Sequence, residues 1–161
     1  MCALLGIEPG LRPQFGVKPA LPLLNGRADR TEIDMSLDHL FVEAKLTESG
    51  FQTAPRDVLF RYRDIATVFD TDELPVSGGV YQSYQLIRGV LAAHHGPRSF
   101  GVLCDARRAD LAEAWYRILR AVRSCELRSR LTILTWQELA CVLPRTVQRF
   151  LSDKYGIHPA S

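Results

Sequence analysis

The chain has 161 residues, 47% hydrophobic and 24% charged, with a formal net charge of +2. These values are ordinary for one soluble globular domain with its own core. No apolar run reaches the ~18 residues that a membrane span needs, and so mild a charge does not by itself point to nucleic acid.

From Met1 to Arg30 the chain is rich in proline and glycine and reads as irregular, with short extended pieces. Residues 1–20 form the irregular lead-in to a single domain spanning 1–161. No helix is expected there. A charged stretch followed by a long apolar core is absent, so the start does not read as a signal peptide and a cytoplasmic location is expected. Cys2, Cys104, Cys125 and Cys141 are scattered, and are expected as reduced, mostly buried thiols rather than a zinc site. Phe15-Gly16-Val17 and Ala20–Leu24 are strand fragments. The Asn25-Gly26 turn signal predicts that the second of these pairs with the strand that follows.

Thr31–Met35 and Phe41–Leu46 read as a hairpin. Alternation puts Glu32 and Asp34 on one face, with Ile33 and Met35 on the other. On the second strand Glu43 and Lys45 share a face. Charges in short, buried-looking strands are costly unless paired or bound to metal. Asp34 and Glu43 suit a hard cation such as Mg²⁺, with Mn²⁺ as the substitute, because such ions take carboxylate oxygens together with water and substrate phosphate. Lys45 suits the attacking water or the developing negative charge. Glu32 is a further metal ligand or a support behind the ligands. The chemistry is phosphodiester hydrolysis.

Val58–Phe69 is predicted helical from its apolar spacing. Arg56, Arg61 and Arg63 lie on its polar side, in reach of backbone phosphates. Asp70–Gly79 reads as an acidic flexible loop able to cover a substrate groove. Val80–His94 is the clearest early helix, with Gln85 and Arg88 beside its apolar stripe and His94-His95 exposed at its end. Ser99–Cys104 is a buried strand. Asp110–Glu113 has capping-box spacing and opens a helix whose apolar stripe includes Leu111, Trp115 and Ile118, with arginines opposite. Leu131–Leu134 is a second buried strand. Thr135–Glu138 again has capping-box spacing, and its helix runs to about Val142. Pro144 starts a last helix with Val147, Phe150 and Leu151 buried, and Gly156 ends it.

Glu32-Ile33-Asp34 followed by Val42-Glu43-Ala44-Lys45 resembles the Asp…(Glu/Asp)-x-Lys signature of the PD-(D/E)XK nuclease superfamily, although the proline of that signature is absent. Tyr84–Arg88, Cys104–Arg108, Leu134–Glu138 and Lys154–Ile157 are also similar to uncharacterised bacterial restriction-endonuclease-like proteins. The resemblance covers roughly Leu21–Ile157. It implies an α/β fold, a restriction-endonuclease-like mixed β-sheet flanked by helices, which agrees with the predicted order of elements. It implies that Asp34 and Glu43 bind metal and that Lys45 is catalytic. It further implies that a helix after the hairpin adds a glutamine or an aromatic to the site, here Gln85, with Arg88 touching a neighbouring phosphate. The expected activity is metal-dependent endodeoxyribonuclease action on DNA, in restriction or repair. The alternatives are a catalytically silent nucleic-acid-binding module and a subunit of a larger defence or repair complex. A homodimer or a partner subunit would then read the sequence.

Overall fold

The computed structural model describes residues 12–160. In chain order, β1 is Gln14–Val17, β2 Leu21–Pro22, β3 Ala28–Asp29, β4 Ile33–Leu37, β5 Leu40–Ala44 and β6 Thr53–Pro55. Two short helices follow, α1 (Arg56–Leu59) and α2 (Ile65–Val68), then β7 (Val76–Ser77) and β8 (Val80–Gln82). Next come α3 (Tyr84–His95), β9 (Ser99–Cys104), α4 (Ala109–Ala121) and α5 (Cys125–Ser129). The chain closes with β10 (Leu131–Thr135), α6 (Trp136–Ala140) and α7 (Arg145–Tyr155).

The central sheet has the order β1-β4-β5-β9-β10. β1, β4 and β5 run antiparallel, whereas β5, β9 and β10 are parallel. β9 is a nearly unbroken apolar run because it pairs on both edges and is covered on both faces. On one face α3 and α4 bury Phe41, Ile87, Phe100, Trp115 and Ile118 in the larger core. On the other face Leu37, Leu40, Val42 and Leu103 pack with Leu139 of α6.

Several expectations are corrected. The strand bearing Asp34 pairs with β1, not with Leu21–Leu24; β2 instead pairs with β3 across the Asn25-Gly26 turn. Residues 58–69 form two short helices, not one. Between them Tyr62 bridges to Leu23 and hydrogen-bonds Asp29, a tertiary tie that interrupts the helix. Helix α3 starts at Tyr84, not Val80, because Gly78 and Gly79, both at positive φ, close a β7–β8 hairpin. The Asp70–Gly79 loop is tied down by Asp70–Arg123 and Glu73–Arg120 ion pairs and by buried Leu74. Asp110 does not cap α4, since Arg108 takes its carboxylate. The Thr135–Glu138 capping box is fully formed, but α6 ends at Ala140. On α7 only Leu151 is buried, while Val147 and Phe150 are exposed. Of the thiols Cys104 is buried, but Cys125 and Cys141 are exposed at the ends of short surface helices. Cys2 and most of the irregular lead-in lie outside the described residues.

Candidate active site

The β4–β5 ladder runs as far as Met35 opposite Val42. Beyond it the Asp34 carboxylate accepts the Ala44 amide at 2.8 Å, so a side chain replaces the next backbone bond. Alternation breaks at this point: Ile33 enters the larger core and Met35 packs on the other face. Glu43 and Lys45, two apart on β5 and its continuation, are both buried. Glu43 Oε1 accepts from Lys45 Nζ at 2.7 Å and from Gln85 Nε2 at 2.6 Å. Burial raises the Glu43 carboxyl above the usual carboxylate range, the Lys45 hydrogen bond opposes this in part, and the nearby Asp34 charge adds to the rise.

Gln85 is held by its backbone, whose amide donates to Phe51 O at 3.0 Å, while the Tyr84 amide donates to Gln52 O at 3.0 Å. The Gln85 Oε1 atom is buried and has no hydrogen-bond partner. The residue borders a cleft of about 500 Å³ whose wall includes Lys45, Phe51, Gln52 and Ser83. Gln52 and Ser83 both adopt left-handed φ. Strain of this kind persists only where the surroundings enforce it.

Asp34, Glu43, Lys45 and Gln85 are therefore brought together. Glu32 is placed elsewhere, its carboxylate pairing with Lys18 Nζ at 3.2 Å. Among the described residues no group of three His, Cys, Asp or Glu side chains is arranged around a metal position. Arg88 is buried rather than offered to a phosphate on the surface. Its Nη2 donates to Glu32 O at 2.7 Å and its Nε lies 3.8 Å from Asp29, so it ties the approach to β4 onto α3. Arg56 stacks on Phe60 at 4.1 Å and donates to the Tyr81 hydroxyl. Arg61 is half exposed beside Tyr62.

One supporting residue escaped sequence reasoning. Trp136 Nε1 donates to the Lys45 carbonyl at 2.9 Å, across 91 positions of chain. Its neighbour Gln137 donates to Asp105 at 2.7 Å and accepts from the Ala106 amide. Arg107 clasps Asp105 and donates to the carbonyls of Tyr155 and Gly156. Three of the four segments Tyr84–Arg88, Cys104–Arg108, Leu134–Glu138 and Lys154–Ile157 thus converge on one network behind Lys45. The Arg107 hydrogen bonds hold the Asp105 carboxyl far below the usual range. A depressed carboxylate stabilises the fold above its unfolded pKa, and that contribution fades as pH falls toward the folded one. Asp105→Asn is expected to cost about 1–2 kcal/mol at neutral pH, discounted for the exposed side of Arg107. The difference from wild type should shrink as pH falls below the ordinary aspartate value of 3.8. Denaturant melts across pH test this, and a gap that is constant with pH would disprove it.

A mixed sheet flanked by helices, with two carboxylates and a lysine gathered where two strands part, fits the restriction-endonuclease-like fold. The chain belongs to the family described as restriction endonuclease associating with ARP, whose model matches residues 1–156. No curated protein and no solved structure matches the chain. Among the described residues no helix is long and apolar enough to cross a membrane.

Proposed function

We propose that the protein is a divalent-metal-dependent endodeoxyribonuclease that hydrolyses DNA phosphodiester bonds. The observation that carries this reading is the buried Glu43 carboxylate shared by Lys45 and Gln85, beside the Asp34 carboxylate. A Glu43 carboxylate buried within reach of the charge on the exposed Asp34 is unfavourable for folding alone and suits a cation.

The residues fit Mg²⁺ or Mn²⁺. Mg²⁺ commonly takes one or two carboxylates and completes its shell with water and phosphate. Asp34 Oδ1 and Glu43 Oε2 accept no hydrogen bond among the described residues, and the buried Gln85 Oε1, also without a partner, is an acceptor left for an ordered water. Bound there, the ion would polarise the scissile phosphate and acidify a water. Asp34 and Glu43 would hold the ion. Lys45 Nζ, fixed through its own carbonyl by Trp136, donates to the attacking water or to the phosphate oxygen as charge grows. Gln85 orients the water.

The second reading is a subunit that acts only with a partner. The family description supports it with the words "associating with ARP". Cleavage of plasmid and single-stranded DNA, with Mg²⁺, with Mn²⁺ and with chelator, separates the readings. Metal-dependent nicking by the isolated chain is the expected result. DNA that is bound but stays intact under every condition would favour the subunit.

A further inference from the structure

A second open cleft, of about 430 Å³, adjoins the first and shares Gln52 and Gln85 with it. The two halves differ in charge. The Lys45 side carries Glu48 and Asp110 at its wall. The other side gathers Lys18, Arg30 and Arg88 against the one carboxylate of Glu32. Arg88 is almost wholly buried and committed to Asp29 and the Glu32 carbonyl, so it adds fixed positive charge behind this half rather than a contact. Arg30 is exposed and has no ion-pair partner among the described residues. The Lys18 ammonium is occupied by Glu32. Gln52 forms the wall common to both halves in a left-handed conformation, which keeps the passage between them in one shape.

We infer that Lys18 and Arg30, in front of the buried Arg88, bind a backbone phosphate of the nucleic acid next to the bond presented at Asp34, Glu43 and Lys45. This rests on the reading of that site as one for a nucleic acid. A phosphodiester chain carries a charge at every step. A strand lying across Gln85 would therefore place one phosphate by the two carboxylates and a neighbour among the cations. Arginine suits that contact because its planar fork meets two phosphate oxygens at once. Glu32 acts here as a built-in competitor: it holds Lys18 until a phosphate displaces it.

The test measures binding of a short fluorescein-labelled DNA duplex by anisotropy in chelator, across a potassium chloride series. Arg30→Ala should weaken binding about tenfold and lower the slope of log affinity against log salt by about 0.9, the loss of one phosphate contact. Glu32→Gln should tighten binding severalfold by freeing Lys18. Both substitutions are at exposed positions, and circular dichroism checks that each variant is folded. Affinity and slope unchanged in both variants would overturn the inference, as would a wild type that binds no DNA. Adding Mg²⁺ to the same duplex separates the two readings. Cutting by wild type with no effect of Arg30→Ala on binding leaves the nuclease standing and removes the phosphate cleft. Binding that depends on Arg30 without any cutting does the reverse.

Discussion

Lys45→Ala is expected to reduce metal-dependent DNA cleavage by ~10²–10³-fold, the scale seen when one positioned donor is removed from a developing charge. The expectation rests on burial as well as on residue type. The Lys45 side chain is 6% exposed and its Nζ lies 2.7 Å from Glu43 Oε1, so no solvent cation replaces it there. Asp34→Ala should abolish cleavage to a similar degree for a different reason. It removes a metal-facing oxygen and also the acceptor of the Ala44 amide, so β4 and β5 lose the bond that sets their separation. Single-turnover cleavage of a labelled duplex, with binding measured separately in chelator, checks both. Loss of cutting with retained binding fits the assignment. Cutting by Lys45→Ala at the wild-type rate would show that the lysine merely neutralises Glu43. The double variant Glu43→Gln/Lys45→Met removes both buried charges together, so it should stay folded while being inactive.

Gly89→Ala is expected to destabilise the fold by ~2–3 kcal/mol, against the usual gain of ~0.5–1 kcal/mol for this change inside a helix. Gly89 sits in the middle of α3, and a Cβ placed there would lie only 2.1 Å from Phe100 Cζ. The ring cannot retreat, because Phe100 is fully buried on β9 with its centroid 6.0 Å from that of Trp115. The helix must lift from the sheet instead. Gln85 lies one turn before Gly89, so lifting α3 draws its amide away from Glu43. Urea denaturation measures the stability cost, and a variant as stable as wild type would refute the close approach. Cleavage by the folded fraction should fall as well, since the Gln85–Glu43 bond depends on that approach.

The hairpin was legible because strand alternation is local. Spacing alone puts Glu32 with Asp34 on one strand and Glu43 with Lys45 on the other, and β9, β10 and the capping box at Thr135 follow from runs and spacings only a few residues long. The errors have a common origin. Val80–Gln82 has residues that suit either a strand or a helix; of its two partners β6 lies far along the chain, and the Gly78-Gly79 turn to β7 reads equally well as part of a loop. Val147 and Phe150 have helical spacing with Leu151, yet nothing in that spacing tells whether another layer covers them.

The same division holds in the site. The sequence by itself determined that Glu43 and Lys45 share a strand face, since that depends on a two-residue period and on nothing distant, whereas in the fold Asp34 joins them and Glu32 does not. It also marked α3 as the element bearing Gln85 and Arg88. Only the tertiary structure decided what each does. Gln85 reaches Glu43, 42 positions earlier, because Gly89 lets α3 settle against Phe100. Arg88, one turn from Gln85, is drawn inward by Asp29 and the Glu32 carbonyl, and the Glu32 carboxylate turns to Lys18. Trp136 meets the Lys45 carbonyl because β10, parallel to β5 through β9, delivers α6 to the same end of the sheet. A charged side chain takes the partner that folding brings within about 4 Å, and the energy of that choice depends on burial and distance, neither of which is written in sequence spacing.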